Sequence, residues 1–94
     1  MTEISVTPSG AEPMRFTFSV RLADRRSESM HEVTVSSDDL ERLGARYRSP
    51  EEFIRACFEF LLQREGKEQI LRTFDVSVIG TYFPDFERTI ASQR

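Results

Sequence analysis

Residues 49–66, SPEEFIRACFEFLLQREG, decide how this chain folds. Ser49 offers a hydroxyl at an N-cap, Pro50 a pre-set first turn, and Glu52 a carboxylate at the third helical position, so a helix starts here with a capping box. It runs to about Glu65, and Gly66 stops it. At about 100° per residue, Phe53, Ile54, Cys57, Phe58, Phe60, Leu61 and Leu62 fill an arc of roughly 200°. Glu52, Arg55, Glu59 and Gln63 take the remainder, and Glu51 precedes Arg55 with the favoured four-residue polarity. A stripe that faces one layer is only somewhat wider than about 100°. This helix therefore needs cover on two sides and is central to the fold.

Upstream lies the first cover. From Met14 to Leu22, Phe16, Phe18, Val20 and Leu22 share one face of a strand, and Arg15, Thr17, Ser19 and Arg21 share the other. The polar stretch Ala23 to Ser29 reads as a loop. His31 to Val35 repeats the alternation, with Val33 and Val35 inward and Glu32 and Thr34 outward, which predicts an antiparallel hairpin. Ser37 is placed to cap a short helix ending at Gly44. Residues 1–13, with Pro8, Gly10 and Pro13, read as a loose tail, though Ile4 and Val6 alternate as in a short edge strand.

Downstream, Ile70, Leu71, Phe74, Val78, Ile79, Tyr82, Phe83, Phe86 and Ile90 recur at three- and four-residue steps. Asp75 looks like an internal N-cap, Gly80 weakens the run and Pro84 breaks it, so two or three short helices are expected. A strand over residues 76–83 is the competing reading, since Val, Ile, Thr and Tyr favour β structure. The expected architecture is an α+β domain over residues 14–94. An antiparallel hairpin packs against the central helix, and short C-terminal helices fold back over residues 67–90 to cover it.

Composition bounds the function. Ninety-four residues make one domain, and eight Phe supply its core without disulfide or metal staples. The lone Cys57 cannot pair internally. The first ten residues lack the basic and apolar regions of a signal peptide, and no apolar run approaches the roughly 20 residues that span a bilayer, so no membrane role is expected. A formal net charge of −3 opposes nonspecific attraction to phosphate backbones or anionic lipid. Cytoplasm is the expected compartment.

For chemistry, the single histidine, His31, sits where a strand begins near the surface, and no motif marks a nucleophile and orienting group beside it. Cys57 falls within the apolar arc, where an inert thiol is expected. One His and one Cys fall short of a metal set, and no glycine-rich phosphate loop is present. Catalytic residues, metal and cofactor are therefore all expected to be absent. The carboxylate pairs Asp38-Asp39 and Glu51-Glu52 suit helix starts. Arg42, Arg46 and Arg48 flank the start of the central helix, where an anion is attracted, but Glu51 and Glu52 repel one. The outward strand face Arg15, Thr17, Ser19 and Arg21 suits a two-stranded ribbon entering a major groove. It equally suits a solvated sheet in which arginine pairs with Glu32.

The segments Val33-Thr34-Val35-Ser36, Asp39-Leu40-Glu41-Arg42-Leu43 and Arg48-Ser49-Pro50-Glu51-Glu52-Phe53-Ile54-Arg55 resemble the ribbon-helix-helix pattern, over about a third of the chain. That resemblance implies a short strand paired with a dimer mate, an intertwined helical core, and DNA binding as a repressor or antitoxin. Three features depart from it: Gly44 shortens the first helix, the strand presents Glu32 and Thr34 rather than basic residues, and residues 14–22 occupy the pairing edge. Phe74-Asp75-Val76-Ser77-Val78-Ile79, followed by Tyr82-Phe83-Pro84, resembles small uncharacterised bacterial proteins and implies no activity. The expectation is a noncatalytic interaction or regulatory module for a protein partner, with homodimerisation allowed. A ribbon-helix-helix-like DNA-binding regulator is the alternative, and a small enzyme ranks third.

Overall fold

The computed structural model describes residues 2–92. Four strands form one sheet in the order β1-β2-β3-β4: β1 Glu3–Glu12, β2 Arg15–Ala23, β3 Glu28–Ser36 and β4 Thr73–Asp75. The first three make an antiparallel meander, and β4 joins β3 in parallel. The parallel pair requires a crossover. It is supplied by α1 Ser37–Gly44, α2 Pro50–Leu62 and a 3₁₀ turn at Lys67–Gln69, and two more helices follow, α3 Val76–Tyr82 and α4 Phe86–Ser92. The chain is thus α+β, with the helices against one face of a mixed sheet.

The hairpin follows from alternation. Phe18, Val20 and Leu22 pair with Val33, His31 and Ser29, and the side chains of this register that point at the helices are buried or half-buried. The connecting loop is shorter than the sequence suggests, because pairing extends to Ala23 and Glu28. Asp24 shapes it by accepting from the amides of Arg26 and Ser27.

Residues 3–12 are the main correction to the expected tail. They are not a loose tail: Glu3–Glu12 pairs along β2, with a register shift between Pro8 and Gly10. Ile4 is buried and Val6 half-buried on the helix side, which anchors the strand. Pro8 and the bulge are tolerated because β1 is an edge strand.

The helix starts follow their caps. Ser36, rather than Ser37, caps α1, accepting from the Asp39 amide at 3.1 Å. The helix begins at Ser37, directly after the strand, so the cap falls on Ser36, the last residue of β3. Ser49 caps α2 as its motif predicts, accepting from the Glu52 amide at 3.2 Å, while the Glu52 carboxylate reaches the amide of Arg48.

The wide arc of α2 is buried from both sides. Phe53, Ile54, Cys57 and Phe58 have no exposed surface. Phe58 packs on Phe74 of β4 at 5.7 Å between ring centroids, and Phe60 meets Phe83 and Phe86 at 5.9 and 5.1 Å. The C-terminal segment does the covering within one chain. Residues 76–82 are helical, as the longer period implies, but residues 73–75 just before them are extended against β3.

Candidate functional site

Two polar clusters fasten the C-terminal segment to the sheet, and they position the site. Asp75 ends β4 and caps α3, accepting from the amide and hydroxyl of Ser77 at 3.1 and 2.8 Å. It also accepts from the Thr34 hydroxyl at 2.6 Å and from the Arg15 guanidinium. Burial pushes the Asp75 carboxyl up, but the Thr34 and Ser77 hydrogen bonds and the Arg15 charge outweigh it and hold the group below its usual value. One carboxylate thus ties β2, β3, β4 and α3 together.

The second cluster centres on His31. It is not the surface residue the sequence suggests. It is only 4% exposed, lies inside β3 on the same face as Val33, and its ring packs at 5.7 Å from that of Phe58. Its Nδ1 lies 2.7 Å from the Leu71 carbonyl oxygen, so Nδ1 carries a proton and donates. Its Nε2 lies 2.8 Å from the Ser29 hydroxyl. Hydroxyl, imidazole and orienting carbonyl in sequence form the bond pattern of a nucleophile–base pair. Neither Ser29 nor His31 lines either of the two grooves described below; the imidazole packs on Phe58, and Ser29 is half-buried. The sequence signal for this cluster was the i, i+2 spacing of Ser29, His31 and Val33 on one strand face.

The deeper groove, about 440 Å³, lies where the C-terminal segment fails to close fully over α2. Its floor is Leu61 of α2, Ile70 of the connector and Phe74 of β4. Val78, Ile79 and Tyr82 of α3, Phe83 just after it and Leu71 of the connector also line it. Leu71 is 50% exposed and Tyr82 67%, two of the four large apolar or aromatic side chains exposed among the described residues, the others being Met14 and Met30. Glu65 and Gln69 are its polar members. The volume falls within the roughly 300–1,000 Å³ typical of ligand clefts. A second groove of about 400 Å³ lies between the β1 bulge and the start of α2, lined by Pro8, Phe16 and Pro50 among others.

Charge is distributed unevenly at the deeper groove. Arg64 pairs with Asp85 at 2.7 Å and lies over the Phe60 ring at 3.8 Å. Lys67, only 6% exposed, pairs with Asp24 at 2.9 Å, an arrangement that raises the lysine's pKa and lowers the aspartate's to about 2. Glu65 has no cation within ion-pair distance among the described residues.

The sheet's outer face carries the residues of the nucleic-acid reading. Arg15, Thr17, Ser19 and Arg21 do lie on one open face. The arginines are paired with Asp75 and Glu28 rather than with Glu32, which sits opposite Ser19. Arg42, Arg46 and Arg48 do not converge. Arg42 is held by Glu87 and Asp39, each at 2.8 Å, and Arg46 and Arg48 lie in the exposed turn between α1 and α2. The residues of the ribbon-helix-helix-like strand, Val33 to Val35, pair with Phe16 to Phe18 of the same chain. Cys57 is buried, and burial pushes its thiol well above the usual range. Among the described residues no group of three His, Cys, Asp or Glu converges to hold a metal, and no helix is long and apolar enough to cross a membrane.

Comparison with models of protein families, with curated proteins and with solved structures returns no match.

Proposed function

We propose that this domain is a noncatalytic protein-interaction module whose docking surface is the groove between α2, the β4 connector and α3. The observation that carries the reading is the exposure of Leu71 and Tyr82 in the lining of an open apolar groove of about 440 Å³. Burying a large apolar side chain contributes roughly 1.5–3 kcal/mol, so two left in water beside an unfilled groove are an unused source of binding energy. The sheet's outer face is a weaker candidate, because its arginines already have carboxylate partners.

A photoreactive side chain at position 82, compared with one at position 17 on the sheet face, tests this in cells of the source organism. One discrete protein adduct from position 82, abolished by Leu71→Asp and unaffected by Arg15→Ala, is expected. Adducts arising only from position 17 would overturn the reading. So would salt-sensitive retention of duplex DNA that vanishes in an Arg15→Ala, Arg21→Ala double variant.

A further inference from the structure

The apolar groove runs beneath an open sheet edge. Among the described residues β4 is the last strand of the sheet, with β3 as its one neighbour. The Glu32 amide donates to the Arg72 carbonyl at 2.6 Å, and Glu32 stands opposite Thr73. In a parallel ladder the residues on either side of the opposed one bond to the neighbour, so Arg72 and Phe74 face β3. The N–H and C=O of Thr73 then turn to the open side. Thr73 is exposed, and no backbone partner outside the ladder meets it among the described residues. Directly inside this edge, Phe74 and Leu71 line the groove together with residues of α3.

A strand added to an edge alternates its side chains between the sheet's two faces. One side chain of an extended segment lying along β4 would enter the groove, while its neighbours point away. The backbone groups of Thr73 supply the hydrogen bonds, and the groove supplies the anchor. Glu65, which has no cation within ion-pair distance among the described residues, lies at the same groove. A carboxylate so placed favours a cationic group on whatever docks there, and the chain's net charge of −3 adds to that preference.

We infer that the groove takes an extended peptide segment of another protein, adding beside β4, with a bulky apolar residue in the groove and a lysine or arginine facing Glu65. This rests on reading the groove as the docking surface. The edge explains why α3 and the connector stand apart here: an inserted strand needs both the free backbone of Thr73 and the space inside it.

Selection from a displayed library of random short peptides against the full chain tests it, with the Leu71→Asp chain as counter-selection. The best peptide is then synthesised, its affinity measured by fluorescence anisotropy, and amide exchange of the protein followed by NMR. Four results are expected. Enriched peptides carry one bulky apolar residue with Lys or Arg close by. Binding slows exchange of the Thr73 amide. Methylating the peptide nitrogen that meets Thr73 weakens binding by about tenfold. Glu65→Lys, a change at a half-buried groove position outside the hydrophobic core, shifts selection toward Asp or Glu. Peptides that bind as helices, with Thr73 exchange unchanged and backbone methylation tolerated, would overturn the added strand while leaving the groove as the docking surface. A peptide-free dimer that already protects Thr73 would assign the edge to a second copy and overturn the inference. Failure to enrich any peptide, together with no adduct from position 82, would overturn both readings.

Discussion

The imidazole of His31 and the backbone carbonyl of Leu71, forty residues apart in the chain, are joined by a hydrogen bond of 2.7 Å. The bond holds the connector that carries Leu71 to the middle of β3, and Leu71 lines the apolar groove. The geometry of the groove therefore depends on a residue that does not touch it.

His31→Phe keeps a ring against Phe58 but leaves the Leu71 carbonyl without its donor. The bond is part-buried, so its unsatisfied acceptor should cost about 1–2 kcal/mol, the lower part of the range for a fully buried group. Ser29→Ala, which removes the other imidazole partner at a half-buried site, should cost less, about 0.5–1.5 kcal/mol. Urea denaturation of the two variants gives the ranking. Faster amide exchange from Leu71 to Phe74 in His31→Phe would show that the connector, rather than the whole domain, has loosened.

The Asp24–Lys67 pair should shape the acid limb of stability. The hydrogen bond from the Lys67 ammonium, helped by the amides of Arg26 and Ser27, lowers the Asp24 carboxyl from 3.8 to about 2. A carboxyl lowered in the folded state stabilises it fully above the unfolded value, and the contribution fades as pH falls through the folded one. Stability should thus drop between about pH 4 and pH 2. Asp24→Asn should flatten that part of the curve, as should Lys67→Met, which keeps the buried stem and removes the charge. Unfolding midpoints measured across this range decide the matter, and an unchanged slope in both variants would show the pair to be inert.

The caps separate two adjacent serines. Ser36→Ala should cost about 1 kcal/mol by leaving the Asp39 amide without its acceptor, whereas Ser37→Ala, inside the first turn of α1, should change stability by no more than about 0.5 kcal/mol. Equal losses at both positions would place the cap wrongly. Ser49→Ala, removing the cap of α2, should resemble Ser36→Ala.

Gly44 and Gly80 should respond oppositely to alanine. A Cβ at Gly44 would stand 3.0 Å from the Leu40 Cδ1 and 3.2 Å from the Phe53 ring, at the close approach of α1 to α2. A Cβ at Gly80 would meet nothing nearer than the Glu87 side chain at 3.8 Å. Gly80→Ala should therefore stabilise α3 by roughly 0.5–1 kcal/mol through helix propensity alone. Gly44→Ala should destabilise, since crowding a packed contact costs about 1–3 kcal/mol and exceeds the propensity gain. Thermal melts of the pair, run side by side, check the signs.

Much of the scaffold was legible because its causes are local. The cap and proline at 49–50 mark α2, strict alternation marks β2 and β3, and Asp75 marks the start of α3. The groove was half legible. Leu61, Ile70, Leu71, Phe74, Val78 and Phe83 all belong to apolar periods, but a period does not say which of its members stays uncovered. His31 was misjudged because a polar residue near a strand end is ordinarily exposed. Its place in the alternation with Val33 pointed inward, and the partner that makes burial tolerable lies forty residues away.

By itself the sequence determined the α+β class, the hairpin, the central helix and the need to cover that helix on two sides. Those features rest on repeats of two and of 3.6 residues and on caps whose donor and acceptor lie within a few positions of each other. Only the tertiary structure decided the rest. Residues 3–12 form a strand because β2 offers a free edge and because Ile4 finds a place in the core, although Pro8 and Gly10 argue locally against it. Residues 73–75 are too few to show a period and are extended because β3 presents an open ladder. Lys67 is buried because Asp24, across the fold, receives its ammonium. The groove is where Leu61 of α2, the connector, β4 and α3 come together, segments distant in the chain. Each of these depends on a partner distant in the chain, and the free energy of such a contact is set by where that partner lies in space.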